Sequence, residues 1–194
     1  MKKIVLASSS ERRAQLLKQI GLFNFIIDPS NIEEVMEENI PPVKLVQKLA
    51  FEKAKDVAKR YSDAIIIGAD TFIVQKEKYL GKPKDHADAK RILSSFSGKS
   101  HQALSGFAII DTKQKKVITG YDFAKVFFRK LTEKEIDDYI ATGEPLDKAG
   151  AYGYMHRGAV LIEKVEGDFY SVIGLPIAKI HVELKKLGVN SLAN

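Results

Sequence analysis

The sequence predicts an α/β fold with a mixed, twisted sheet flanked by helices. Apolar runs of strand length alternate with longer segments of helical periodicity along the 194 residues. One run, Ala64–Ile67, is continuously apolar, which is typical of a strand covered on both faces. An apolar content of 45% is sufficient for the core of one ordinary domain spanning residues 1–194.

The first half of the chain carries the clearest alternation. A strand, Ile4–Ala7, precedes a helix with apolar residues at three-residue spacing, and Phe25–Ile27 is a second strand. The acidic stretch Asn31–Glu38 is expected to begin as a loop. Pro41 and Pro42 then open a long amphipathic helix on which Lys53 lies on or beside the apolar face.

The later elements are predicted from caps, turns and strand composition. A Thr-x-x-Glu capping box at Thr132 begins one helix, and Gly98 and Gly143 end helices in the left-handed conformation. After the buried strand ends at 68–71, the apolar run Phe72–Val74 follows. In chain order we then expect a helix at Asp85–Phe96, a hairpin of Leu104–Thr112 and Val117–Phe128, a helix from Thr132 to Thr142, a turn-rich segment at 144–153, strands at Val160–Lys164 and Phe169–Ile173, and a helix from Pro176 to Leu187.

Composition excludes several classes of function. Without cysteine there are no disulfides or thiolate metal sites, and the four histidines lack zinc-ligand spacing. Neither a Gly-x-Ser-x-Gly elbow nor a Walker A motif occurs. The net charge of +6 is spread along the chain, so we expect a small phosphorylated ligand rather than nucleic acid. No apolar run suits a signal peptide or a membrane span, so we expect a cytoplasmic protein with no membrane partner.

A candidate phosphate-binding segment follows the first strand. Ser8 and Ser10 precede a helix whose first turn carries Arg12 and Arg13. Small hydroxyl side chains let the amides at a helix start approach an anion, and arginine offers a planar fork to phosphoryl oxygens. The alternative is a serine-capped helix with solvated arginines.

Two carboxylate positions could serve a metal ion or a proton transfer. Asp70 is expected at the end of the buried strand, where open α/β sheets place their ligand crevices. It could ligate Mg²⁺, accept a proton from water, or simply cap the next turn. Glu33 or Glu34 could supply a second carboxylate, although an acidic run is also typical of a solvated surface.

Three lysines complete the charge pattern. Lys53 and Lys82 are candidate phosphate ligands or else ordinary surface lysines. Asp147 and Lys148 could form an internal ion pair that shapes a pocket, or only a turn. Positive and negative clusters together fit a site for a metal–triphosphate complex, in which the protein mainly positions the substrate and neutralises charge.

Six motifs in one order carry a family resemblance. They are LASSSERR at 6–13, GADT at 68–71, GKP at 81–83, SGKSH at 97–101, EPLDKAGAYG at 144–153 and GDFYSVIGLP at 167–176. Over nearly its full length the chain resembles the Maf family of nucleoside triphosphate pyrophosphatases, relatives in fold of the inosine triphosphatases. The resemblance implies a two-lobed fold around a cleft, a divalent cation (Mg²⁺ or Mn²⁺), a homodimer, and hydrolysis between the α- and β-phosphates in clearing unwanted nucleotides.

The resemblance also implies roles for individual residues. Asp70 corresponds to the proton acceptor, or chiefly to a metal ligand, and Glu34 to a carboxylate that binds the metal or positions water. Lys53 and Lys82 correspond to phosphate ligands. The neighbouring Glu33 takes the place of Glu34 if the loop is shifted by one residue.

The chain departs from the family's sequence pattern at two positions, one of which concerns the choice of nucleotide base. By resemblance Arg12, Thr71 and Met155 occupy positions that tune it. Met155 stands where the subgroup acting on dTTP and UTP has glutamine, and it cannot make the paired hydrogen bonds of an amide. Glu11 replaces a proline of the first motif and adds negative charge beside the expected phosphates.

Two other classes of function remain open to the sequence. One is a non-catalytic nucleotide or nucleic-acid binding regulator of cell division, for which steeply salt-dependent polynucleotide binding is expected. The other is a nucleotidyl transferase, for which pyrophosphate release requires a sugar phosphate acceptor.

Overall fold

The computed structural model describes residues 2–35, 37, 39–76 and 78–193 and confirms the α/β class. Residues 31–35 form the expected loop, while Met36 and Glu38 of the acidic stretch lie outside the described residues. The strands are β1 Lys3–Leu6, β2 Ile26–Ile27, β3 Ala64–Gln75, β4 Lys78–Leu80, β5 Ser100–Asp111, β6 Lys116–Phe128 and β7 Ile162–Gly167. The helices are α1 Glu11–Gln19, α2 Pro42–Ala58, α3 His86–Phe96, α4 Glu133–Ala141, α5 Phe169–Ile173 and α6 Ile177–Lys186. Short 3₁₀ helices cover Glu144–Asp147, Ala149–Ala151, Arg157–Leu161 and Ser191–Ala193.

The sheet is mixed, as predicted. Within the described residues its seven strands follow the order β2-β1-β3-β5-β6-β7, and β4 pairs with β3. β1 runs parallel to β2 and β3, with Leu6 opposite Ile27 on one side and Ile67 on the other. β4 is antiparallel to β3, and β7 is antiparallel to β6. None of the described helices is long and apolar enough to cross a bilayer.

The chain divides into two compact units. Unit 1 comprises Met1–Asp70, Ser105–Asp122 and Gly174–Asn194, and unit 2 comprises Thr71–Leu104 and Phe123–Ile173. Two units agree with the two lobes that the family resemblance implies. A cleft, and the action of 1–194 as one domain, stay predictions.

In unit 1 the long helix α2 packs closely on the sheet. Ala50 and Ala54 of α2 are buried in a core with Val5 and Ile66 of the central strands. A Cβ on Gly68 would lie 2.4 Å from the carbonyl oxygen of Ala50 and 2.8 Å from Cβ of Ala54. Glycine at 68 therefore permits close contact between helix and strand, which is a packing role rather than a turn.

The buried strand is longer than the sequence predicts. The sequence predicts that the strand ends at 68–71 and that Phe72–Val74 is separate, but β3 continues without interruption from Ala64 to Gln75. Asp70 therefore lies inside a strand instead of following one. Glycine and aspartate are turn formers in the absence of other information, and here tertiary packing overrides that preference.

Unit 2 has an aromatic core beneath α3 and α4. Phe96, Phe128 and Tyr152 pack against one another with ring centroids 5.0 to 6.3 Å apart. His101 lies among them, 4.1 Å from the Phe96 ring centroid. Both helices begin with side-chain caps, from Asp85 and from the predicted Thr132 capping box.

One predicted strand is wrong. Residues Phe169–Ile173 form the short helix α5, and the strand before it is Ile162–Gly167 rather than Val160–Lys164. Asp168 explains the change, because its Oδ2 accepts hydrogen bonds from the amide of Ser171 at 2.7 Å and from its hydroxyl at 2.6 Å. An aspartate bonded to the third amide after it caps a helix, whatever the β-propensity of the residues that follow.

Candidate active site

The serine and arginine segment of unit 1 is organised by Ser8. The Oγ atom of Ser8 accepts hydrogen bonds from the amide of Ser10 at 3.3 Å and from the guanidinium of Arg13 at 3.1 Å. Ser10 occupies the N-cap position of α1, but its side chain makes no capping hydrogen bond. Ser10 is therefore not a side-chain cap, and Arg13 is bonded to the protein rather than only to solvent.

Arg13 joins the first sequence motif to the last one. Its Nε donates to the carbonyl oxygen of Gly174 at 2.9 Å. Gly174 has φ of 120°, a conformation that favours glycine. Burial lowers the pKa of Arg13, Asp70 opposes that shift, the neighbouring Arg12 adds to it, and Glu34 opposes it. The guanidinium is thus partly withdrawn from water, and the charges of two carboxylates act on it.

Lys53 lies between the two predicted carboxylates. Its Nζ is 2.5 Å from Oδ1 of Asp70 and 2.7 Å from Oε1 of Glu34. Lys53 is 9% exposed and Asp70 is 5% exposed, whereas Glu34 is an exposed loop residue. The predicted position of Lys53 on the apolar face of α2 is confirmed. Glu33 and Glu34 are both exposed, and of these two alternatives it is Glu34 that forms an ion pair with Lys53.

The donor set in unit 1 can be compared with the needs of a divalent cation. Among the described residues, no group of three or more His, Cys, Asp or Glu side chains could hold a metal ion. Mg²⁺ commonly uses one or two carboxylates and completes its shell with water and substrate phosphates. Glu34 and Asp70 fit that arrangement, in which the ion enters with a phosphorylated substrate.

In unit 2 the predicted Asp147–Lys148 ion pair is present. Nζ of Lys148 lies 2.6 Å from Oδ1 of Asp147 and donates to the carbonyl oxygen of Glu144 at 2.9 Å. Lys148 is buried, and the side chain of Asp147 is 67% exposed. A Cβ on Gly153 would lie 2.6 Å from Cε of Lys148, so the glycine leaves room for the lysine. The pocket that this pair was expected to shape remains a prediction.

The other predicted site residues of unit 2 are more accessible. Lys82 is exposed, Thr71 is half-buried, and Met155 is 44% exposed. The carbonyl oxygen of Gly81, next to Lys82, accepts a hydrogen bond from the amide of Gly150 at 2.9 Å. Two motifs that lie far apart in sequence are therefore in contact inside unit 2.

Sequence reasoning missed the residues that hold the segment around Met155. Glu144 accepts hydrogen bonds from the amides of Arg157 at 3.1 Å and Gly158 at 3.2 Å. It also accepts one from the hydroxyl of Tyr139 at 2.9 Å, and that hydroxyl accepts from the amide of Gly153 at 3.1 Å. Burial raises the pKa of Tyr139, which keeps its phenol protonated as a donor. The only signal in the sequence was Glu144 at the start of a turn-rich motif.

His101 of the SGKSH motif lies in the core of unit 2. Its Nε2 is 2.8 Å from the Tyr152 hydroxyl, and in the described part of the chain its Nδ1 has no hydrogen-bond partner. Burial lowers the pKa of His101 to about 3, so the ring is neutral at pH 7. Its contacts are those of a core residue.

The six motifs all lie within the part of the chain that one family model matches. Residues 3–187 match the family model described as Maf-like protein. The chain therefore belongs to the Maf family.

Curated relatives match over nearly their whole length. One is the dTTP/UTP pyrophosphatase of Acetivibrio thermocellus, which is 46% identical over 99% of this chain and 98% of its own. The dTTP/UTP pyrophosphatase of Dictyoglomus turgidum is 44% identical over 98% of this chain and 99% of its own. That of Bacillus cereus is 45% identical over 98% of this chain and 92% of its own.

Among solved structures, the chain resembles protein VC0702 from Vibrio cholerae. The TM-score is 0.44 at 10% identity, over 95% of this chain and 98% of that chain. This likeness is too low to support a conclusion.

Proposed function

We propose that this chain is a nucleoside triphosphate pyrophosphatase that hydrolyses the α–β phosphate bond to yield a nucleoside monophosphate and pyrophosphate. The observation that carries the proposal is the match, at 44 to 46% identity over nearly the full chain, to relatives named dTTP/UTP pyrophosphatase. Unit 1 supports it with the buried Lys53 and the half-buried Arg13 near two carboxylates. dTTP and UTP are the proposed substrates, and Met155 makes modified nucleotides a further group to assay.

The chemistry proposed for unit 1 divides between its cations and its carboxylates. Arg13, oriented by Ser8, presents its guanidinium to phosphoryl oxygens, and Lys53 offsets the negative charge that develops as the phosphate is attacked. Asp70 accepts the proton of the attacking water. A Mg²⁺ or Mn²⁺ ion held by Glu34 and Asp70 would neutralise phosphate charge. The phosphate role expected for Lys82 and the base-tuning roles of Arg12, Thr71 and Met155 remain predictions.

The proposed setting is house-cleaning of the nucleotide pool in the cytoplasm. Homodimerisation is part of the proposal. Light scattering measures the molar mass of the purified protein in solution, and a homodimer would have twice the chain mass of 21.6 kDa.

The test is an assay of the purified protein with Mg²⁺ and a panel of canonical and modified nucleoside triphosphates. Monophosphate and pyrophosphate are measured together, and equal amounts of both are expected. Asp70→Asn keeps the size of the side chain but removes its basicity, so we expect turnover to fall by about 10²- to 10⁴-fold with nucleotide binding largely intact. Loss of nucleotide binding in a folded Asp70→Asn protein would instead indicate metal ligation.

A folded, metal-loaded protein that yields no product from any triphosphate would refute the proposal. Release of phosphate instead of pyrophosphate would contradict cleavage at the α–β bond.

A further inference from the structure

The loop that carries Glu34 is attached to helix α2 at two points. One is the ion pair between Glu34 and Lys53, with 2.7 Å between Oε1 and Nζ. The other is Asp56, whose Oδ2 accepts hydrogen bonds from the hydroxyl of Ser30 at 3.2 Å and from the amide of Asn31 at 3.2 Å. Both attachments belong to unit 1, and only the first involves a residue already placed at the site.

Arg60 and Tyr61 extend the second attachment. Arg60 donates to Oδ2 of Asp56 at 3.0 Å, to a carboxylate oxygen of Asp28, and to the carbonyl oxygen of Pro29 at 3.2 Å. The hydroxyl of Tyr61 donates to Oδ2 of Asp28 at 2.9 Å. The start of the loop is therefore bonded to the last turn of α2 through Asp56 and to the residues just after the helix through Arg60 and Tyr61.

The spacing of the two attachments matches on helix and loop. Lys53 and Asp56 are three residues apart on α2, so their side chains lie on neighbouring positions of one helix face. Asn31 and Glu34 are also three residues apart in the loop. Because the loop is bound at Asn31, only a short free segment connects that point to Glu34. A short segment has less conformational freedom to lose when the Glu34 carboxylate is positioned.

From this geometry we propose that Asp56 is a positioning residue that holds the Glu34 loop so that the Glu34 carboxylate stays beside Lys53 and Asp70. The inference rests on the proposed function and deepens it. Asp56 touches none of the expected reacting groups and acts through the loop. The hydrogen bond from Asn31 is also the main cause that lowers the pKa of Asp56, so the carboxylate is ionised at neutral pH.

The chain offers a matched control for this role. Asp63 forms an exposed ion pair with Lys113, 2.6 Å from Nζ to Oδ2, also in unit 1. Asp63→Ala removes the same charge from the same unit without touching residues 28–34. Asp56→Asn is the conservative variant, because an amide oxygen still accepts from Ser30 and Asn31 while the ion pair with Arg60 is lost.

The experiment compares wild type, Asp56→Ala, Asp56→Asn and Asp63→Ala in two measurements. Nucleotide hydrolysis at varied Mg²⁺ gives kcat, KM and the Mg²⁺ concentration for half-maximal rate. Amide hydrogen exchange of the nucleotide-free protein reports on Asn31 and its neighbours. For Asp56→Ala we expect kcat about tenfold lower with KM little changed, a higher Mg²⁺ requirement and faster exchange of the loop. Asp56→Asn should recover part of both effects, and Asp63→Ala should match wild type.

An Asp56→Ala protein with a faster-exchanging loop and unchanged kcat would overturn the positioning role. So would unchanged loop exchange, or an equal loss of kcat in Asp63→Ala. An inactive wild-type protein would instead refute the proposed function, and amide exchange would still decide whether Asp56 holds the loop.

Discussion

Lys53 and Asp70 form an ion pair with both partners withdrawn from water, with Nζ 2.5 Å from Oδ1 and residue exposures of 9% and 5%. Either charge alone at this depth would be costly, because the protein interior cannot replace its hydration. Each charge is therefore stable at this depth only when the other is present. The exposed Glu34 places a second negative charge beside the same Lys53 ammonium.

Removal of one charge from this pair should destabilise the fold. Lys53→Met keeps the length of the side chain but leaves the Asp70 carboxylate buried without its cation, so we expect the free energy of unfolding to fall by about 3 kcal/mol. Adding Asp70→Asn to Lys53→Met should recover part of that loss. Denaturant unfolding of both single variants and the double variant measures the coupling.

Lys48→Met is the control for that loss, since Lys48 lies on the same helix in an exposed ion pair with Glu37. Exposed pairs contribute less than about 1 kcal/mol. If Lys53→Met lowered the free energy of unfolding no more than Lys48→Met, the buried Lys53–Asp70 pair would contribute no more to stability than an exposed pair.

Gly68 should tolerate no side chain. In Gly68→Ala the new Cβ would meet backbone and Cβ atoms of α2 at 2.4 and 2.8 Å, so we expect a loss of about 2 kcal/mol in unfolding free energy as the helix moves away from β3. Thermal or denaturant unfolding checks it. Gly81→Ala is the matched control, because a Cβ at Gly81 meets no atom within 4 Å. Equal stability of the two variants would contradict the close packing of α2.

His101 should make the protein sensitive to acid. Its pKa is lowered from 6.5 to about 3 in the folded state, so between these values the unfolded chain binds more protons than the folded one. Stability contributed by the neutral ring is therefore complete above pH 6.5 and is lost as pH falls, at about 1.4 kcal/mol per pH unit.

The variant His101→Phe lacks the titrating ring, so its unfolding free energy should depend less on pH between 5 and 6.5. His86→Gln changes an exposed histidine and should keep the wild-type slope. Urea unfolding across that range compares the slopes, and identical slopes for all three proteins would show that His101 does not carry this acid sensitivity.

Glu144 should hold the backbone near Met155. Glu144→Ala removes the acceptor of the Arg157 and Gly158 amides, so we expect faster hydrogen exchange there and a loss of about 1 to 2 kcal/mol in stability. Glu144→Gln keeps an accepting oxygen and should show a smaller effect. Glu163→Ala, at an exposed position of β7, serves as the control, and unchanged exchange in Glu144→Ala would exclude this anchoring.

Local signals in the sequence were sufficient for most elements. The capping box at Thr132, the left-handed glycines at 98 and 143, and the periodicity of α2 predicted helices that the structure contains. Each of these signals depends on residues close together in the chain, so it can be recognised in a single sequence without knowledge of the tertiary structure. Phe169–Ile173 was predicted wrongly because aromatic and β-branched content favours a strand, while a single aspartate cap starts a helix there.

The sequence by itself determined the α/β class, the placement of Lys53 on the apolar face of its helix, and the motifs that identify the family. Only the tertiary structure decided that Asp70 lies inside a strand, that Arg13 bonds to Gly174, and that Asp56 accepts a hydrogen bond from Asn31. The physical reason is the separation along the sequence between the residues that interact. Helical periodicity and caps depend on neighbours three or four residues away, whereas a hydrogen bond across 161 residues depends on how the whole chain is packed.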